Sequence, residues 1–395
     1  MPVSRMSRAH LSVLTLATSV LVAPLLVGGL PQASAERPQV ELKREAGTPL
    51  SSAEVKLPTR RTVTTDRFTM VAATWAGEDP GVEVRTHTKG RWTGWVELES
   101  LADGPSSGEG SEAPDGASDL IWVGDSNRLQ VRTERTAEDL EMVLINPGVA
   151  AADDDPAPQT MTPTPAPAPA PESPGVESPE TTEQTPTVTA SATRRTVPRP
   201  TIYTRKQWGA DESWKNGSPR YTDMMRQVHV HHTVNANDYR SWQTAGILRG
   251  IYRYHTKTLG WFDIGYNFLI DRFGRIWEGR SGGIGNLVQG AHTLGFNHNS
   301  VGVAVIGNYE TRTVSRTVLR ALADISAWKF DRGNRYPVGK IWMTSTGSDK
   351  FPKGKSVYLY KVDGHRDTND TSCPGRHLYA ELPKLRNMIY HRMYS

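Results

Sequence analysis

QVHVHHTV, residues 227–234, is the stretch from which the fold of this 395-residue chain can be read. Its apolar character and length predict a buried strand, and on a strand His229 and His231 point to one face and His232 to the other. Working outward, Trp242, Ala245, Leu248, Ile251, Tyr252 and His255 fall at helical spacing within 238–255. YNFLIDRFGRIWEGR, 266–280, reads as a hairpin turning near Phe273 and Gly274. VGVAVIGNY, 301–309, is a second buried strand. Val318, Leu322, Ile325, Trp328 and Lys329 suit a further helix, and Leu378, Leu382, Leu385 and Ile389 another. Strands interleaved with helices predict an α/β domain over 199–395, with a central sheet flanked by helices.

The rest of the chain differs in composition. Arg5 and Arg8, an apolar run over 11–30 and the small residues Ala33 and Ala35 predict a signal peptide over 1–35. Cleavage after Ala35 would leave a secreted, cell-wall-associated protein without stable membrane insertion. An extension spans 36–61. Over 62–147 the apolar residues alternate with period two: Val82, Val84 and Thr86 oppose Glu83, Arg85 and His87. This predicts an antiparallel β-sandwich-like domain. Its acidic, Gly/Ser-rich stretch 102–118 reads as a long surface loop. Trp75, Trp92, Trp95 and Trp122 are candidates for stacking on sugars and, more simply, for the core. Residues 148–198 are rich in Pro, Thr and Ala, which predicts an extended linker. The net charge of +4 is mild, and its basic residues form no nucleic-acid module.

Three clusters carry the chemistry: HVHH (His229, His231, His232), GAHTLGFNHN (His292, His298) and GHRDTNDTSCPG (His365, Cys373). Cys373 is the only cysteine, so an intrachain disulfide is impossible. Two histidines and one cysteine match the three protein ligands of a catalytic zinc site, which would also hold the sulfur as thiolate. A buried thiol is the simpler alternative, and a cysteine nucleophile with a histidine base the sharper one. Pro374 directly after Cys373 denies that nucleophile the usual helix start.

In order and spacing these blocks resemble the peptidoglycan recognition protein and type 2 amidase family, over about 202–382. The resemblance implies a central mixed β-sheet flanked by helices. It also implies Zn2+-dependent hydrolysis of the amide between N-acetylmuramic acid and L-alanine in peptidoglycan. It assigns His231, His365 and Cys373 as metal ligands, and Tyr266 and Thr371 as catalytic helpers. His255, Trp261, His292 and Asn297 become candidate walls of the muramyl-peptide groove. Position 229 is usually aliphatic in the family, so His229 is a departure, readable as a support or an alternate ligand. Glu278 is a candidate base, better read as a hairpin residue or a partner of Arg280. Other cell-wall polymers are candidate ligands of the β domain. A non-catalytic recognition module is the alternative, since members that only recognise peptidoglycan typically lack the cysteine. A zinc peptidase of the HExxH type is excluded by the absence of that motif.

Overall fold

All six residues of the strand Gln227–His232 are buried. It lies between Ser300–Val305 and Val362–Gly364 and runs parallel to both. The computed structural model describes residues 39–105, 114–150, 153 and 194–394. The expected signal peptide and most of the expected linker lie outside them. Among the described residues this sheet has six strands, in the order Ile202–Tyr203, Ile276–Glu278, Phe268–Ile270, Ser300–Val305, Gln227–His232 and Val362–Gly364. The hairpin pair is antiparallel and the other neighbours are parallel, so the sheet is mixed.

Period two divides the sheet residues between two cores. Val228, Val230, Val301, Val303 and Val305 pack against the helices Arg316–Arg332 and Leu382–Met393. Each such side chain contributes about 1.5–3 kcal/mol on burial. Ser315 begins the longer helix, its Oγ accepting from the Val318 N–H at 3.2 Å, a cap worth about 1 kcal/mol. On the opposite face Leu269, Trp277, Ala304 and Ile306 pack with the helix Thr244–Arg253. That helix starts later than its apolar spacing predicts. Trp242 lies before it, in the 3-10 turn Ser241–Gln243, and is 44% exposed rather than packed. A hairpin of Lys340–Thr344 and Ser356–Tyr360 adds to these elements; its burial alternates with period two, but Trp342, Tyr358 and Tyr360 on its exposed face hide that alternation in the sequence.

The amino-terminal sheet is antiparallel, as expected, and has nine strands among the described residues. It begins with Lys43–Arg44 and Ser51–Val55, so part of the extension assigned to 36–61 belongs to it. Its longest strands, Val63–Ala76 and Ile121–Thr133, pair through register shifts, which bend strands of this length. Val71, Ala73 and Trp75 face the domain's own core. Met70 and Ala72 face the other way and join Trp122, Val143 and Ile145 against the helix Thr244–Arg253. The two parts of the chain thus share one apolar cluster. Charged pairs rim it: Arg253 with Glu45 at 3.1 Å and Glu54 at 2.6 Å, and Arg249 with Asp153 at 2.8 Å. Trp75 and Trp122 are core residues, whereas Trp92 is exposed beside Arg85. Among the described residues no helix is long and apolar enough to cross a membrane.

Candidate metal centre

His231 is the penultimate residue of its strand, and His365 follows directly on the adjacent strand Val362–Gly364. Because those strands are parallel, both histidines emerge at the same carboxyl edge, where α/β sheets place their sites. Cys373 is brought to them by a hydrogen-bonded loop. Its N–H donates to Thr371 Oγ1 at 3.2 Å, and its carbonyl accepts from the Arg366 N–H at 2.9 Å. The His232 N–H donates to Cys373 Sγ at 3.3 Å. One donor atom from each of His231, His365 and Cys373 lies within 4.8 Å of the others, and all three residues are buried.

A second layer orients the ring of His231. Its Nε2 lies 3.2 Å from His292 Nδ1 and 3.3 Å from Thr293 Oγ1. A proton on that Nε2 leaves the Nδ1 lone pair facing the cluster. Asn297 Oδ1 accepts from the N–H groups of His292, at 2.8 Å, and Thr293, at 3.0 Å. A Cβ on Gly302 would lie 2.2 Å from His292 Cγ, so only glycine leaves room for that ring. His292 and Asn297 are therefore fully buried behind His231 and do not form an open wall. His255 Nδ1 accepts from the Gly265 N–H at 3.0 Å, which fixes the turn leading to Tyr266. Trp261 packs against His255, ring centroids 4.5 Å apart and planes tilted by 40°, and lines a cavity with Leu259, Leu294 and Asp103.

His229 belongs to a neighbouring pair. Its Nδ1 lies 2.7 Å from Asp363 Oδ1, and Asp363 also accepts from Gln227 Nε2 at 2.6 Å. Burial pushes Asp363 up to about 6, and the nearby His229 opposes that shift. Glu278 accepts from the Arg205 N–H at 3.1 Å, which ties the hairpin to the segment entering the domain.

The electrostatics suit a metal. Burial lowers His231 well below its ordinary value and takes His365 to about 3, so both rings are neutral, the state that ligates. Burial and then Asp103 push the Cys373 thiol up; a divalent cation among these donors would reverse that. Imidazole, imidazole and thiolate are the donors zinc prefers, and the residues present fit it.

Asp103 is the site residue that the sequence did not reveal. Rather than lying in a surface loop, the start of the 102–118 stretch enters the α/β domain. The side chain of Asp103 is 4% exposed. Its Oδ2 accepts from the Tyr266 hydroxyl at 2.7 Å. Its Oδ1 lies 3.4 Å from His365 Nδ1 and 3.8 Å from His231 Nδ1.

Comparison with known proteins bears on both parts of the chain. A family model described as N-acetylmuramoyl-L-alanine amidase matches residues 221–376. Another, described as Rv3811 N-terminal galactose-binding domain-like, matches 31–175. Peptidoglycan-recognition protein SC2 of Drosophila melanogaster is 34% identical over 184 residues, covering 46% of this chain and 84% of that protein. Peptidoglycan-recognition protein SA of the same fly is 35% identical over 148 residues, covering 37% and 70%. The solved structure of wild-type Drosophila PGRP-LB is 29% identical, with a TM-score of 0.37, and covers 46% of this chain and 91% of its own.

Proposed function

The chain belongs to the peptidoglycan recognition protein and type 2 amidase family, and from that premise we propose that it is a secreted zinc-dependent N-acetylmuramoyl-L-alanine amidase. The observation that carries this reading is the convergence of His231, His365 and Cys373 at the carboxyl edge of parallel strands. The alternative of a recognition module without catalysis does not call for a buried thiol among neutral imidazoles.

Zinc held by these three residues would supply Lewis acidity, polarising an amide carbonyl and lowering the pKa of water to about 7. The protein's own groups do the rest. His292 and Thr293 hold His231 in the tautomer that presents Nδ1. Tyr266, whose hydroxyl donates to Asp103 next to His365 and His231, would hydrogen-bond the oxygen that gains charge as the muramyl–alanine amide is attacked. Thr371 keeps the cysteine loop in place through the Cys373 N–H and is the residue that would position water or substrate. Trp261 offers an aromatic wall against which a sugar or stem peptide could pack. Trp92 and Trp95, both near Arg85, would give the β domain a surface for wall polymers. Weaker retention of the Trp92→Ala variant on insoluble sacculi is the readout for that role.

The deciding experiment is mass spectrometry of sacculi digested with the protein, with chelator and with zinc restored. New L-alanine amino termini that disappear with chelator and return with zinc are the expected result, slow to form with the full chain and faster with its Asp103→Ala variant. Binding to sacculi with no such termini, in the full chain and in the Asp103 variants described below, would leave the recognition reading in its place.

A further inference from the structure

Residues 99–105 of the β domain lie across the metal centre and are held at several points by the α/β domain. The Ser372 hydroxyl donates to the Glu99 carboxylate, at 2.7 Å from Oε2. Asn369 Nδ2 donates to the Ala102 carbonyl at 3.4 Å. Tyr266 donates to Asp103, and Asn297 Nδ2 donates to the Gly104 carbonyl at 2.7 Å. These anchors flank each part of the donor cluster: the GHRD loop, the cysteine loop, the tyrosine and the support of His231.

Among the described residues, Asp103 Oδ1 is the buried side-chain atom of 99–105 that lacks a hydrogen bond, and Asn369 Oδ1 and His365 Nε2 lack one on the α/β side. For a carboxylate oxygen this is an unfavourable state. Asp103 Oδ1 is aimed at the Nδ1 atoms of His365 and His231, 3.4 and 3.8 Å away. Cys373 Sγ lies 3.8 Å from the same His231 Nδ1. Zinc bonds of about 2.0–2.1 Å to nitrogen or oxygen and about 2.3 Å to sulfur set tetrahedral donors about 3.3–3.6 Å apart in a site with one sulfur. The Asp103–His365 spacing of 3.4 Å falls in that range, and the Asp103–His231 and Cys373–His231 spacings of 3.8 Å lie just beyond it.

We propose that Asp103 is a fourth ligand of the metal centre, donated by the amino-terminal domain, and that residues 99–105 hold the hydrolase latent until they withdraw. This rests on the zinc amidase reading above. Zinc sites with four protein ligands are closed and structural, whereas catalytic sites keep a position open for water or substrate. Asp103 fills that position and also engages the Tyr266 hydroxyl, so one side chain withholds both the open vertex and the tyrosine. The apolar cluster joining Met70 to the helix Thr244–Arg253 keeps the carboxylate at high local concentration.

The test uses the full chain and its Asp103→Ala variant, each loaded with zinc. Zinc-edge X-ray absorption should show one sulfur, two imidazoles and a carboxylate in the parent, with water replacing the carboxylate in Asp103→Ala. Release of zinc to a chromophoric chelator should be roughly tenfold faster in the variant, and it should liberate muropeptides from sacculi roughly tenfold faster or more. Should Asp103→Ala fail to fold, two others carry the test. Asp103→Asn weakens the donor at constant shape, and Glu99→Ala unhooks the Ser372 anchor. Unchanged coordination and unchanged zinc release in these variants overturn the proposal, even where parent and variants all cleave sacculi. A changed coordination with no cleavage by any of them leaves Asp103 a ligand and removes the amidase reading instead.

Discussion

A Cβ placed on Gly250 would lie 2.3 Å from the sulfur of Met70. Glycine inside a helix lowers its stability by about 1 kcal/mol relative to alanine. Here it admits a strand of the β domain to the helix backbone. Gly250→Leu should lower the stability of the whole chain by about 1–3 kcal/mol through overpacking. Adding Met70→Ala should recover part of that loss, with a coupling of about 0.5–3 kcal/mol in a double-mutant cycle of denaturant unfolding. Strict additivity would contradict the packing described.

Cys373→Ala removes one of three clustered donors. Elemental analysis of the purified variant should find little zinc, and digested sacculi should show no new L-alanine amino termini. The β domain keeps its own core and should retain its fold by circular dichroism.

Tyr266→Phe separates metal binding from catalysis. Built on Asp103→Ala, where no carboxylate holds the tyrosine, the variant should keep its zinc while amide cleavage falls by roughly 100- to 1,000-fold, the loss seen when one oxyanion donor is removed. A rate close to that of Asp103→Ala alone would deny the tyrosine its proposed part.

His292→Ala leaves the donor set intact but removes a partner of His231. Competition with a chelator should show zinc affinity reduced roughly 10- to 100-fold, with stoichiometry unchanged. An unaltered affinity would show that Thr293 alone holds the ring.

Lys329 is buried against Phe268, and its Nζ donates to the Asn286 carbonyl at 2.6 Å. Burial, with Arg332 adding to it, lowers its pKa from 10.5 to about 7. Between pH 7 and about 10.5 the unfolded chain binds the extra proton, so this group's contribution to stability improves as pH rises. Lys329→Met should therefore gain most over the parent near pH 7, and the difference should shrink toward pH 10. Urea unfolding at several pH values measures it; a difference independent of pH would show that Lys329 is not held near neutrality.

The α/β domain was legible because its signals are local. Alternation in 227–234 placed His229 and His231 on one face, and the hairpin of Phe268–Ile270 and Ile276–Glu278 turns where Phe273 and Gly274 stand. Trp242 misled because helical spacing was extended past the first helical residue into a 3-10 turn. In the β domain, the apolar second half of Val63–Ala76 is buried without interruption over 70–75, and it reports a strand covered there on both faces. The sequence could not say what covers the second face.

By itself, then, the sequence determined the principal strands and helices of the α/β domain, the two-sided strand bearing His231 and the residue types in GHRD and at Cys373. Side-chain period and short motifs act over a few residues, and those are written in the chain. Only the tertiary structure decided that His292 and Asn297 stand behind His231, and that Asp103 reaches His365 from a separate domain. A lone aspartate in an acidic loop has no periodicity or motif, and a contact across more than two hundred and fifty residues exists only once both domains have packed.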